Sequence, residues 1–120
     1  MHDQVVSSPD GAAPGVRDAG ALDAAVARPY SAFGGLEFYP TPFAKAAALM
    51  ESIIHRHPFV DGNKRTGLLA AAFWLDQVDY DLDASQHELA NVAVEVADHF
   101  LDVNALSRWI EEHAQPRSGS

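Results

Sequence analysis

The chain has 120 residues, no cysteine and a formal net charge of −9. Disulfides and cysteine-ligated zinc are thereby excluded, and a broad grip on nucleic acid, which would need several lysines and arginines set against phosphates, is disfavoured. A hydrophobic content of 48% argues for one globular domain with a real core, and the longest apolar run, residues 68–75, is far short of the roughly 20 that span a membrane.

Taken in order, residues 1–14 are rich in Ser, Pro, Gly and Ala without a hydrophobic period and are expected to form an irregular arm. No charged-then-apolar leader is visible there, so the cytoplasm is the expected compartment. Asp18 can cap a short helix over residues 19–28, with Leu22 and Val26 one turn apart and Pro29 as the stop. Over residues 30–39, aromatic-bearing runs on either side of Gly34-Gly35 predict a small hairpin or flap. Its aromatics are either ordinary core residues or, if exposed, a docking edge for another protein. Thr41 and Pro42 suit the N-cap and first helical position of a helix over residues 41–56. Phe43, Ala46, Ala47, Met50, Ile53 and Ile54 mark its buried face. Pro58 disfavours helical geometry at His57, which should project from the junction of helix and loop.

Residues 63–76 are apolar nearly all round, the pattern of a central helix wrapped on every side. Val78, Tyr80 and Leu82 alternate and suggest a short extended piece. Ser85 and Glu88 form a capping-box pattern for a helix over residues 86–99, with Leu89, Val92, Ala93, Val96 and Phe100 facing inward. A last helix over residues 105–113 would turn Leu106, Trp109 and Ile110 to the core, and residues 115–120 read as a disordered tail. The expected fold is all-α, a single helical domain over residues 15–114 with a glycine-hinged flap.

The stretch that carries chemistry is His57-Pro-Phe-Val-Asp61-Gly-Asn-Lys-Arg65. It should feed the start of a helix, whose first N–H groups are unpaired and carry partial positive charge, a ready anion site. Arg56, Lys64 and Arg65 cluster here, whereas no basic residue lies between Thr66 and Ser107. Such an isolated positive spot in an acidic chain suits a compact polyphosphate. Gly62 and Asn63 can adopt the dihedrals of an anion-binding nest. Asp61 is a hard oxygen ligand of the kind Mg²⁺ prefers when it shares coordination with substrate phosphates. Lys64 and Arg65 supply charge, and His57 can accept a hydroxyl proton.

The pattern His57-x-Phe59-x-Asp61-Gly62-Asn63-x-Arg65 resembles the signature of the Fic/Doc family, in particular its short Doc (death-on-curing) toxin branch. Similarity extends to Gly15-Val-Arg-Asp18, Phe33-Gly-Gly35, Lys45-Ala-Ala and Trp109-Ile110. The resemblance implies a helical Fic fold that uses ATP with Mg²⁺ to modify a protein hydroxyl. By that resemblance His57 is the general base and Asp61 the metal ligand, Phe59 anchors the loop in the core, and Gly62, Asn63 and Arg65 bind phosphate. The flap over residues 33–39, with Phe33, Gly34, Gly35 and Leu36, would align the target chain.

Most AMP-transferring members of the family have a second glycine where this chain has Lys64, and a second arginine where it has Leu68. Lysine at the glycine position should obstruct the usual diphosphate seat while adding a cation. Doc-type proteins share both departures, and in them the nucleotide is thought to lie in the opposite sense, so the resemblance favours γ-phosphate transfer over AMP transfer. Gly62, however, matches the AMP-transferring members. Ser107-x-x-x-Glu111 has part of the spacing of a self-inhibitory helix, but Glu112 follows it and Leu68 offers no arginine to pair, so control by a separate antitoxin is expected. The implied target is a cytoplasmic protein, a translation factor by family resemblance. Branch members carry a further segment before the equivalent of His2-Asp3. Two other readings are a non-catalytic binding module of the same fold and a metal-dependent hydrolase with His55, His57 and Asp61 as ligands.

Overall fold

The structure is a computed structural model and describes residues 15–117; the arm expected over residues 1–14 and positions 118–120 lie outside the described residues. Asp18 accepts from the Ala21 N–H at 2.9 Å and opens α1 (Ala19–Ala27). Pro29 does not stop the chain sharply; Arg28–Tyr30 forms one further 3-10 turn. The hairpin follows as β1 (Ala32–Phe33) and β2 (Leu36–Glu37), antiparallel, with Phe33 opposite Leu36. Gly34 and Gly35 sit at φ 60° and 85°, the two consecutive positive values that a tight hairpin turn requires. Phe33 is 80% exposed and Leu36 75%, so the aromatic edge is on the surface rather than in the core.

Thr41 caps α2 (Pro42–Arg56), accepting from the Ala44 N–H at 3.0 Å, with proline in the first turn as expected. This is the central helix. It touches α1, α3 (Asn63–Gln77), α4 (Gln86–Ala97) and α5 (Val103–His113). The run Ala46-Ala47-Ala48 is fully buried, and such small side chains let neighbouring helices approach from several sides. The expectation that residues 63–76 would be wrapped on every side is therefore corrected. Helix α3 fully buries only Gly67, Ala71 and Leu75, a stripe at four-residue spacing, while Leu69 is 63% and Phe73 65% exposed. Apolar content on all faces does not say which faces find partners.

Two apolar clusters meet on α2. The larger joins Met50 and Ile54 to Ala71, Leu75, Val92, Val96, Leu106 and Ile110; the smaller joins Leu49 and Ile53 to Ala25, with Phe59, Ala70 and Trp74 packed against it. The capping box at Ser85 and Glu88 forms with both of its bonds. Helix α4 ends at Ala97, two residues earlier than expected, in a Schellman arrangement. His99 takes φ 64°, its N–H bonds Val96 O at 3.1 Å, and the Phe100 N–H bonds Glu95 O at 2.8 Å. Phe100 consequently leaves the helix and is 78% exposed, not an inner-face residue.

The alternating piece forms β3 (Tyr80–Leu82), which pairs antiparallel with β4 (Ala114–Pro116), Asp81 opposite Gln115. Residues 115–117 are thus not a frayed tail. The Arg117 guanidinium pairs with Asp76 and with Asp81 (2.8 Å), and the Arg117 N–H donates to Asp79 O at 2.9 Å. Among the described residues no helix is long and apolar enough to cross a membrane.

Candidate active site

The loop between α2 and α3 is short, and most of its backbone groups have a partner. His57 caps α2 in the left-handed region (φ 49°, ψ 55°), a conformation costing a non-glycine residue about 1–3 kcal/mol unless its surroundings impose it. The residues Gly15 to Asp18 run beside the loop as a strap. The Arg17 and Asp18 N–H groups donate to Pro58 O at 2.7 and 3.1 Å, and the Val60 N–H donates to Gly15 O at 2.8 Å. The Arg17 guanidinium donates to His57 O through Nε at 3.1 Å and through a second nitrogen. Pro58 is buried beneath, and the His57 side chain remains exposed.

Phe59 packs on the smaller cluster of Leu49 and Ile53, which suits the anchoring role the resemblance implies. Asn63 holds the loop from the other side. Its Oδ1 accepts from the Phe59 N–H at 3.0 Å and its Nδ2 donates to Phe59 O at 3.0 Å. With both ends of the amide committed, the backbone N–H of Asn63 is the group left to meet an anion. The Asp61 carboxylate is exposed and accepts from the Gly62 N–H at 2.8 Å.

Gly62, at φ 75°, is the N-cap of α3 and supplies no side-chain bond to its first turn; the first intrahelical bond runs from Thr66 N to Gly62 O at 2.8 Å. The N–H groups of Asn63, Lys64 and Arg65 therefore lack the helical acceptors that later residues have. Among the described residues, neither the Lys64 nor the Arg65 side chain is in an ion pair or hydrogen bond. Asp61, Gly62, Asn63, Lys64 and Arg65 line one end of a groove of about 590 Å³ that continues between Leu68 and Leu69 of α3 and Gln86, Leu89, Ala90, Ala93 and Val94 of α4. The groove has a polar, cationic end and an apolar far wall, the division of surface that a nucleotide presents. His57, Phe59 and the flap residues Phe33, Gly34, Gly35 and Leu36 are not in its lining.

The ligand set His55, His57 and Asp61 is not assembled. His55 turns inward, its Nδ1 3.1 Å from Glu51 and its Nε2 2.7 Å from Val96 O, and among the described residues no three metal-ligating side chains converge.

Three features escaped the sequence reading. The α4 wall of the groove lies far along the chain from the motif. Arg17 was visible only as part of a family-like string. Lys45, known likewise only from a string, ties down the flap by donating to Pro29 O at 3.3 Å and Tyr39 O at 2.6 Å while pairing with Glu37. Beside it, Arg28 reaches Tyr39 Oη at 3.0 Å and Ser52 Oγ at 2.9 Å and pairs with Glu51. Burial pulls the Arg28 pKa down, but the bonds to Glu51 and Tyr39 outweigh it and leave the guanidinium above its ordinary value.

Residues 1–75 match the model of the Fic/DOC family. The chain is also 43% identical over 89 residues to Toxin Doc of Mycolicibacterium smegmatis, a match covering 69% of this chain and 68% of that relative. With the loop signature standing between two helices of an all-α domain, these matches agree: the chain belongs to the Fic/Doc family.

Proposed function

We propose that this chain is a Doc-like toxin that transfers the γ-phosphate of ATP to a Ser or Thr hydroxyl of a cytoplasmic protein, a translation elongation factor in the leading case, and that a separate antitoxin restrains it. The observation carrying the reading is the groove, in which the open first turn of α3 and the uncommitted Lys64 and Arg65 share one end. A triphosphate seated there meets backbone N–H groups and two cations, donors fixed in advance where charge develops during phosphoryl transfer. Lys64, where AMP-transferring members of the family have glycine, would obstruct the usual diphosphate seat while adding a cation, which favours the reversed nucleotide.

In the proposed reaction His57 takes the proton of the acceptor hydroxyl. That oxygen forms a bond to the γ-phosphorus, the bond from phosphorus to the β–γ bridging oxygen breaks, and ADP leaves with the electron pair. Asp61 fits Mg²⁺, since its exposed carboxylate stands at the groove's polar end, oriented by the Gly62 N–H; the ion would offset phosphate charge. The exposed Phe33 and Leu36 give the flap an edge that can pair with an extended target segment.

A second reading, AMP transfer, is favoured by Gly62, which is glycine as in the AMP-transferring members and takes a left-handed conformation here (φ 75°). Incubation with ATP labelled at either the α or the γ phosphate in a cell lysate separates the two. Label from γ alone on a protein band is expected, and label from α would establish AMP transfer instead. Label from neither, with His57→Ala indistinguishable from the parent, would leave the binding-module reading.

A further inference from the structure

We propose that Arg17 is a positioning residue for the general base, holding the His57 backbone so that the imidazole stays directed for proton transfer; the proposal rests on the reading of His57 as the base. The imidazole's direction follows from the Cα–Cβ bond of His57, and that bond is set by the peptide planes on either side. The preceding plane is pinned by the His57 N–H on Ile53 O at 3.3 Å. The following plane is pinned through His57 O, on which the Arg17 guanidinium closes with two nitrogens. Both are needed, because φ 49° and ψ 55° are not what a histidine followed by proline prefers. Released at the carbonyl, the residue relaxes toward extended backbone and carries its ring away.

The bland alternative is that Arg17 merely fastens the strap. The strap, however, is already fastened by backbone bonds from Arg17, Asp18 and Val60, and the two residues Val16 and Phe59 form a bridge within it. The side chain reaches one residue beyond these bonds, to the carbonyl of the base itself. A cation there also faces the C-terminal end of α2, where unpaired carbonyls favour it.

The test uses Arg17→Ala, Arg17→Lys, His57→Ala and, as a control for lost stability, Asp18→Ala, which removes the α1 cap but keeps the strap's backbone bonds. With labelled ATP in lysate, Arg17→Ala is expected to lower the transfer rate at saturating ATP about ten- to a hundredfold. ATP affinity by calorimetry should stay within about twofold, because the groove residues are untouched. Arg17→Lys should recover part of the rate, and Asp18→Ala should transfer like the parent. An Arg17→Ala protein as fast as the parent, while His57→Ala is inactive, overturns the proposal and leaves the functional reading standing. A measurement independent of transfer covers the reverse case: the His57 Cα and Cβ chemical shifts should move from left-handed toward extended values in Arg17→Ala. Unchanged shifts overturn the proposal even if no label is ever transferred.

Discussion

At the scale of single residues, the loop trades stability for geometry at His57. A histidine at φ 49° holds a conformation that glycine adopts without penalty. His57→Gly is therefore expected to raise stability by about 0.5–1 kcal/mol while abolishing transfer; thermal denaturation beside the labelling assay checks both halves, and a loss of stability would show that the ring contributes packing. Asn63 works in the opposite direction. Asn63→Ala deletes both bonds to the Phe59 backbone and should cost about 1–3 kcal/mol together with activity, read by denaturant unfolding. Sequence reasoning marked His57 and Asn63 as candidate site positions, because residue types at fixed spacing are visible in one dimension. It did not reveal that the Asn63 side chain braces the loop, since the partner groups are backbone atoms whose direction only the folded loop sets.

At the scale of elements, the α2–α3 pair decides where the site stands. Gly67 lets the two helices close together: a Cβ there would lie 3.0 Å from Ile54 Cγ1 and 3.2 Å from Met50 O. The second contact is with backbone and cannot yield by a rotamer change. Overpacking costs about 1–3 kcal/mol, against about 1 kcal/mol recovered by replacing a mid-helix glycine with alanine. Gly67→Ala should thus lose about 1 kcal/mol net, whereas Gly67→Val, without that helix gain and with more bulk, should lose about 3 kcal/mol, measured by urea unfolding. Equal stability of the two variants would mean the helices separate freely. The caps at Asp18, Thr41 and Ser85 were legible because a cap is a contact three residues long. The burial of α3 was not, because its neighbours come from distant parts of the chain.

At the scale of the whole molecule, the C-terminal strand closes the fold through charge as well as pairing. The hydrogen bond from Arg117 holds the exposed Asp81 carboxyl below its ordinary range, and the Ser85 backbone N–H does the same for Glu88. Both folded values lie below the unfolded ones, so the unfolded chain binds more protons in the acid range and stability rises with pH there. The contribution is complete above the ordinary carboxylate range, roughly pH 4, and is lost as pH falls through the depressed folded values. Arg117→Ala should remove the Asp81 share. Its unfolding free energy, followed by circular dichroism between about pH 5 and 2, should fall less than the parent's, and parallel curves would contradict the coupling. The effect should be small, as exposed pairs are.

The sequence by itself determined the local features of this protein: three helix caps, the Gly34-Gly35 hairpin, the order of His57, Asp61 and Arg65, and the family these residues indicate. Each rests on groups within a few positions of one another, where spacing alone dictates what can bond. The tertiary structure decided that α2 rather than α3 is the central helix and that α4 supplies the far wall of the groove. It also paired residues 114–116 with β3 and set Arg17 on the carbonyl of His57. Those outcomes depend on which apolar faces and unpaired backbone groups meet after the helices pack, and that meeting joins parts of the chain whose separation leaves no periodic trace.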